Sequence, residues 1–325
     1  MEKYLIHNFE TCTREPILRK MKDGSLICMF LTGGVEEPLN ENYVAVSRSY
    51  DDGKTWSEPE KLFDHKIRGV WCTEVFTGDE NPFAVVHTYN ANCWYRELHT
   101  FISVTKDNGK TWSEPLNFPG LVDGCSLRQA ITLSNGDTLI PLYWQESLGK
   151  FDWSGGKGWD NLYFRTGVGI RPKGKKHWER YGYIADSEHS LWEPNAVELE
   201  DGHIIMYIRS DIGYLQYVES FDYGRTWSEL KKLDILHSDS KITCLKVRGK
   251  VLMFNNAVKT GRTHLEMSVS DDGLSFKHIC YLEDENESFF YPHPLCDDET
   301  ETLYVAYENR RQHYLKKFTY EELGL

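Results

Sequence analysis

A glutamate and an arginine mark the two ends of a predicted β-hairpin in the second half of the chain. Glu193 opens the first strand and Arg209 closes the second, with the tight turn Asp201-Gly202 between them. Because the open ends of a hairpin lie side by side, we expect this carboxylate and this guanidinium group to be neighbours. An arginine fork in such a place suits a carboxylate ligand, although a plain cross-strand ion pair has the same spacing.

Three more glutamates share a polar, glycine-rich loop near the N-terminus. Glu36, Glu37 and Glu41 lie within residues 32–42, between two segments with the composition of β-strands. Loops of this kind often carry function on a rigid scaffold, and a carboxyl group placed there can transfer a proton. All three could equally be solvated surface charges.

A repeated turn supplies the scaffold that must position these groups. The pattern Ser-x-Asp-x-Gly-x-Thr-Trp occurs at 49–56 and 220–227, with Thr for Ser at 105–112, and in a degenerate copy at 269–276 that aligns Asp271 with the aspartate. The aspartate can accept bonds from backbone amides further along, and the glycine tolerates the positive φ of a tight turn. The aromatic residue is expected to fold back as a buried plug.

The spacing of these plugs predicts the architecture. They are Trp56, Trp112, Trp227 and Phe276. Their intervals of about 56, 115 and 49 residues are close to one or two four-stranded propeller blades of roughly 40 to 50 residues. Trp178 falls within the long interval and is interpreted as a copy that has lost its aspartate. With segment 302–307 and the N-terminal strand completing the last blade, we predict an all-β, six-bladed β-propeller formed by one domain, residues 1–325.

Composition disfavours several kinds of partner. The chain has 325 residues and a net charge of −13, which argues against nucleic acid and anionic membranes. The N-terminal segment lacks the apolar run of a signal peptide, and no run approaches the roughly 20 residues of a membrane span, so a cytoplasmic protein is expected. The eight cysteines form no CxxC pair, which predicts buried free thiols and no metal site.

The repeated turn resembles the Asp-box of the sialidase superfamily, whose members are six-bladed β-propellers. The resemblance extends over nearly the whole chain, although only short segments carry it. Asp-boxes lie away from the active site and also occur in propellers with other functions. The motif is therefore informative for the fold, and the function must be argued from other residues.

The resemblance implies an arginine triad that binds the carboxylate of an acidic sugar. Arg14 matches its first member, although Glu15 follows it where sialidases carry isoleucine. Arg209 matches the second member and Arg262 the third, with Lys259 as a nearby competitor. Three planar, permanently charged guanidinium groups are well suited to one carboxylate.

The resemblance also implies catalytic roles. Tyr291 matches the nucleophile, and Glu193 would take its proton. Glu37 matches the acid/base residue, although the adjacent Glu36 is an alternative for that role. A neutral tyrosine avoids the repulsion that a carboxylate nucleophile would meet from an anionic substrate. His293 lies in a Pro-His-Pro segment that departs from the sialidase pattern, so it is a further candidate.

Two other regions are expected near the pocket. Arg128 opens a blade as Arg14 does, and with Glu36 and His293 it completes the predicted substrate-binding residues. The segment from 145 to 160, with Trp153 and Trp159, is the longest predicted insertion and is interpreted as a lid or rim loop.

The expected function is hydrolysis of a terminal, sialic acid-like sugar from an acidic oligosaccharide or glycoconjugate, without a cofactor. One alternative is a propeller enzyme that acts on a uronate-containing glycan, by hydrolysis or elimination, with His293 or His313 as base. Another is a non-catalytic carbohydrate-binding propeller. None of these patterns indicates an oligomeric state.

Overall fold

Nearly all regular structure in this protein is β-strand. The computed structural model describes residues 2–92, 97–120, 124–147 and 162–325. In these residues the strands form six antiparallel sheets, which are the blades of a propeller. The predicted all-β, six-bladed architecture is therefore confirmed. Most of the rim loop predicted at 145–160, with Trp153 and Trp159, lies outside the described residues.

Blades 1 to 3 follow one another along the chain, after a first strand that belongs to the last blade. Blade 3 contains a short extra strand, because β10 and β11 both pair with β12. The strands are β1 (Glu2–Asn8); β2 (Thr13–Lys20), β3 (Leu26–Thr32), β4 (Tyr43–Ser49) and β5 (Glu60–Phe63); β6 (Gly69–Phe76), β7 (Phe83–Tyr89), β8 (His99–Val104) and β9 (Leu116–Asn117); β10 (Cys125–Leu127), β11 (Ile131–Thr132), β12 (Thr138–Ser147), β13 (Leu162–Arg171) and β14 (Glu179–Ile184).

Blades 4 to 6 have the same antiparallel order. Their strands are β15 (Trp192–Glu200), β16 (His203–Arg209), β17 (Tyr214–Ser220) and β18 (Lys231–Leu236); β19 (Thr243–Val247), β20 (Lys250–Asn256), β21 (Leu265–Ser270) and β22 (Lys277–Tyr281); β23 (Phe290–Asp297), β24 (Thr302–Glu308) and β25 (Gln312–Thr319). In the described part of the chain the one helix, α1 (Tyr320–Leu323), follows β25, and it is too short to cross a membrane.

The ring is closed by the N-terminal strand. β1 pairs with β25 as the outermost strand of blade 6, with Glu2 opposite Lys317 and Asn8 opposite Gln312. The first and last strands of the chain are thereby joined in one sheet, as the sequence predicted. The first strands of the blades lie closest to the axis, where β2 contacts both β23 and β6, and β19 contacts both β15 and β23.

The Asp-box turns are held by a repeated set of side-chain hydrogen bonds. The Ser49 hydroxyl donates to Asp51 at 2.9 Å and accepts from the Gly53 amide at 2.8 Å. Asp51 in turn accepts from the Thr55 amide at 2.9 Å and from the Thr55 hydroxyl at 2.6 Å. The same bonds occur around Asp107 and Asp222. Because the fixed donors favour the ionised form, the pKa of Asp51 is lowered to about 2.

Each of these turns docks onto the preceding blade. Gly224 has φ of +83°, and a Cβ atom added there would lie 2.6 Å from the Leu139 side chain of blade 3. Both the positive φ and the close approach require glycine at this position. The turn of blade 4 therefore also fixes the spacing between two blades.

Two predictions about these turns need correction. Trp56, Trp112 and Trp227 are half-buried rather than buried, because each covers the edge of a hydrophobic cluster instead of entering it. In the degenerate copy the aspartate is Asp272, not Asp271. The turn is one residue shorter there, so the Gly273 amide reaches the Ser270 hydroxyl at 2.9 Å and Asp272 accepts from that hydroxyl at 2.8 Å.

Two other predictions agree with the structure. Trp178, predicted as the remnant of a lost turn, is buried and packs against Phe118. Of the seven cysteines in the described residues, all are free thiols. Cys280 and Cys296 are only partly buried, however, because they lie at the edge of the cluster between blades 5 and 6.

The Asp-box carboxylates should make stability depend on pH. Replacing Asp222 by Asn weakens charge-assisted bonds to Thr226 and Ser220, at a cost of roughly 1 to 3 kcal/mol. The pKa of Asp222 is lowered in the folded state, so its stabilisation is fully present above the unfolded-state pKa of about 4 and is lost as the pH falls from there through the folded-state pKa. Thermal unfolding should show the variant melting below the parent at pH 6, with the gap shrinking at lower pH. A gap that stays constant down to pH 2 would refute this role.

Candidate active site

Three first strands carry the same local irregularity. Glu15, Glu193 and Tyr291 each have positive φ (51°, 46° and 54°) and each is followed by proline. Each also lies in a β-bulge, between Arg14 and Ile17 in β2 and at the corresponding places in β15 and β23. A bulge redirects a side chain away from the strand alternation, and backbone strain of this kind concentrates at functional sites.

These three side chains reach one cavity at the mouth of the propeller. Its volume is about 530 Å³, and residues from all six blades or the loops between them line it. The charged and hydroxyl-bearing lining residues include Glu15, Glu37, Glu193, Arg209, Asp211, Asp239 and Tyr291. The aromatic lining residues are Trp71, Tyr143, Trp144, Phe164 and Trp192. The cavity is therefore both charged and aromatic, and the two kinds of side chain are in contact, since the Trp71 indole donates to Glu15 and the guanidinium carbon of Arg209 lies 5.1 Å from the centre of the Trp192 ring.

Glu193 is held between two guanidinium groups. Arg128 donates to it at 2.7 Å, and Arg209 donates to its other oxygen. Burial opposes the charge of Glu193, but Arg209 and Arg128 hold its pKa well below the ordinary value. The neighbourhood of Glu193 and Arg209 predicted from the hairpin is present, and Glu193 is an ionised hydrogen-bond acceptor.

Arg209 is engaged on both sides. Besides Glu193, it binds Asp239, with Nε donating to Oδ1 at 2.8 Å and Nη2 donating to the backbone carbonyl at 3.1 Å. Asp239 lies between β18 and β19 and its side chain is 57% exposed. An incoming carboxylate would therefore compete with Asp239 for the fork of Arg209.

Arg14 lies beside the same cavity and contacts Glu37. The distance from its Nε to a Glu37 carboxylate oxygen is 3.5 Å, and Nη1 lies 3.9 Å from buried Glu308. Burial opposes the charge of Arg14, yet Glu308 and weaker neighbours, Tyr291 among them, raise its pKa. Of the three candidate acids, Glu37 lines the cavity. Glu36 and Glu41 are exposed on the surface.

Tyr291 lies among the predicted arginines. The guanidinium carbon of Arg262 is 5.1 Å from the centre of its ring. Burial and the charge of Glu193 raise the pKa of Tyr291, while Arg262 and Arg209 partly offset this. Among the described residues the Tyr291 hydroxyl makes no hydrogen bond, and the bond to Glu193 expected from the sequence is not formed. Arg262 likewise has no carboxylate partner among those residues.

Besides Glu36, four predicted substrate-binding residues are not among those that line the cavity: Arg14 and Arg262, and the buried Arg128 and His293. Arg128 is 3% exposed and bridges Glu15, at 2.5 Å, and Glu193. His293 is fully enclosed next to Arg19, whose Nη1 lies 3.2 Å from its ring nitrogens. Burial, with the nearby positive charges, keeps the pKa of His293 well below its ordinary value. His313 is also buried, bonded to Thr13 at 3.0 Å.

Several residues of the site were not predicted from the sequence, and Glu15, Trp71 and Asp239 are the most informative of them. In the sequence, Glu15 stands out only as a departure beside Arg14. Trp71 could rim a pocket, but an aromatic residue at a strand end is more often core, and Asp239 carries no signal. A usable signal existed for Glu15, because Glu15-Pro16, Glu193-Pro194 and Tyr291-Pro292 all open a blade with a pre-proline side chain. No comparable pattern marks Asp239, which belongs to an irregular loop.

The Asp-box turns, the six blades and this cavity define a β-propeller of the sialidase type. Residues 24–305 match the family model described as the BNR repeat-like domain, so the chain belongs to that family. A sialidase from Bacteroides fragilis (strain YCH46) is 24% identical over 314 residues, in a match covering 83% of this chain and 54% of the relative. The chain thus spans about half the length of that curated relative.

Solved structures show the same fold. The Hadza microbial sialidase Hz136 superposes with a TM-score of 0.77 at 17% identity, covering 95% of this chain and 66% of that one. A protein of unknown function from Dyadobacter fermentans gives a TM-score of 0.76 at 16% identity, covering 98% of this chain and 97% of that one. At these identities the likeness establishes the fold alone.

Buried Arg128 and half-buried Arg262 should respond differently to removal. Arg128→Met leaves the buried carboxylates of Glu15 and Glu193 without their shared partner, which should cost roughly 3 to 5 kcal/mol of stability. Arg262→Ala leaves no carboxylate of the described residues without a partner and should cost less than about 1 kcal/mol. Thermal or urea unfolding of both variants checks this. Equal destabilisation would show that Arg128 does not compensate these two charges.

Proposed function

We propose that the protein is a glycoside hydrolase of the sialidase type, which removes a terminal acidic, sialic acid-like sugar from a glycan. The observation that carries the proposal is the convergence of Glu37, Glu193, Arg209 and Tyr291 on one cavity, from blades 4 and 6 and a loop of blade 1. The 24% identity to a bacterial sialidase over most of this chain supports the same function.

The arginines provide the affinity for an acidic sugar. Arg262 has no carboxylate partner in the described part of the chain, and the contacts of Arg14 with Glu37 and Glu308 are long, at 3.5 and 3.9 Å. Both groups can therefore receive a ligand carboxylate without breaking a strong ion pair. Arg209 can also bind the ligand carboxylate once its ion pair with Asp239 has opened.

Tyr291 serves as the nucleophile in this proposal. As a neutral group it is not repelled by an anionic sugar, and the sialidase tyrosine is a known exception to the two-carboxylate rule. The bond from the tyrosine oxygen to the anomeric carbon forms as the glycosidic bond breaks, and the phenolic proton passes to Glu193. Glu193 can receive this proton because Arg128 and Arg209 keep it ionised, and the step requires the Tyr291 hydroxyl to come within hydrogen-bond reach of it.

Glu37 serves as the acid and base. It protonates the departing oxygen in the first step, and it then takes a proton from the water that cleaves the sugar from Tyr291. The alternative with a histidine base has less support, because His293 and His313 are both buried outside the cavity lining.

Tyr291→Phe tests the covalent step. The hydroxyl makes no hydrogen bond within the described residues, so the melting temperature should stay close to that of the parent. Turnover of a chromogenic α-sialoside should fall by roughly 10²-fold or more. Tyr50→Phe, at an exposed Asp-box position, is the matched control and should keep full activity. Full activity of Tyr291→Phe would exclude a tyrosine nucleophile.

Glu37→Gln tests the acid. Natural linkages depend on protonation of the leaving oxygen, so their cleavage should drop roughly 10² to 10⁴-fold. Aryl sialosides with a nitrophenol leaving group need little protonation and should lose far less in the first step. Pre-steady-state release of nitrophenol measures that step directly, with the exposed Glu10→Gln as control. Equal losses for both leaving groups would remove Glu37 from this role.

A further inference from the structure

We propose that Glu15 recognises the sugar by accepting a hydrogen bond from one of its hydroxyl groups at the floor of the cavity. This inference rests on the proposed function, and it narrows the substrate to acidic sugars that carry a hydroxyl on the face directed to the floor. The first observation is that Glu15 is the structural counterpart of Glu193 and Tyr291. All three have positive φ, precede proline and lie in a bulge of a first strand.

The carboxylate of Glu15 is fixed in position. Oε1 accepts from Arg128 at 2.5 Å and lies 3.8 Å from the Lys241 ammonium group, while Oε2 accepts from the Trp71 indole. Its backbone amide donates to Glu308 at 3.1 Å. These contacts come from four different blades or loops, so the carboxylate cannot turn away from the cavity that it lines. A fixed acceptor needs no reordering when a ligand arrives.

This carboxylate still has capacity to accept. Each carboxylate oxygen can accept about two hydrogen bonds, and Oε2 uses one of them with Trp71. An ionised carboxylate repels a second anion and accepts a hydrogen bond from a neutral donor such as a hydroxyl group. Arg128 and Lys241 only balance the two carboxylates of Glu15 and Glu193, so the floor carries no excess positive charge to attract the ligand carboxylate. The carboxylate of the sugar therefore lies towards Arg14 and Arg262, and a hydroxyl faces Glu15.

The residue type also matters for selectivity. The sialidase pattern that this chain resembles has isoleucine here, which accepts no hydrogen bond. A site built to bind a hydroxyl discriminates strongly against an analogue that lacks it, because its own polar group is then left unpaired. Glu15 thus makes the floor selective for a hydroxylated face.

The test couples changes in the protein to changes in the ligand. Dissociation constants are measured by calorimetry for N-acetylneuraminic acid, for D-glucuronic acid, and for analogues of the tighter binder in which each hydroxyl in turn is replaced by hydrogen. For the parent, one analogue should bind at least tenfold more weakly than its hydroxylated counterpart. With Glu15→Met that difference should vanish, while Glu58→Met, which changes an exposed glutamate, should retain it.

Two additional variants keep the test decisive. Trp71→Phe removes a donor to Glu15 but retains the carboxylate, so the tenfold difference should persist. If Glu15→Met fails to fold, Glu15→Gln replaces it. That variant should reduce the ratio of dissociation constants between the deoxy analogue and the hydroxylated ligand at least threefold. A difference unchanged in the folded Glu15 variant overturns the inference, even when the parent cleaves sialosides. A parent that neither binds nor cleaves either acidic sugar overturns the proposed function, and the inference with it.

Discussion

Charged side chains that point towards the propeller axis must find their counter-charges on neighbouring blades. Arg19 of blade 1 donates to Glu74 of blade 2 at 2.5 Å, and Arg128 of blade 3 joins Glu15 of blade 1 to Glu193 of blade 4. A buried charge without its partner is strongly destabilising, so these pairs depend on a ring that closes in one arrangement. The positions of Glu15 and Glu193 therefore follow from the assembly of the whole propeller.

The two ends of the propeller have separate tasks. In each blade that carries one, the Asp-box follows the third strand, at the end opposite the beginning of the first strand, where the bulges of β2, β15 and β23 lie. The turns fix blades to one another through local bonds and close glycine contacts. The mouth can then vary in its side chains while the scaffold remains, which is why the fold alone does not determine the substrate.

What could be predicted from the sequence depended on the range of the interactions. The Asp-box is local, and its hydrogen bonds span four residues, so its repetition revealed the architecture. The neighbourhood of Glu193 and Arg209 was also readable, because both belong to one hairpin. The ion pair of Arg128 with Glu15 joins residues 113 positions apart, so no local sequence pattern indicates it. The burial of His293 next to Arg19 has the same long-range origin.

The three arginines match equivalent members of the predicted triad, but they differ in how strongly carboxylates of the protein already bind them. Arg209 is bound by Glu193 and Asp239, Arg14 has only long contacts with carboxylates, and Arg262 has no carboxylate partner within the described residues. A ligand carboxylate gains most from the groups that give up least, so it should meet Arg262 and Arg14 first. Arg209 then contributes to binding only the difference in free energy between its bond to the ligand carboxylate and its bond to Asp239. Its other effect is to keep Glu193 ionised. In the function that we propose, Arg209 thereby links binding of the ligand carboxylate to activation of Tyr291.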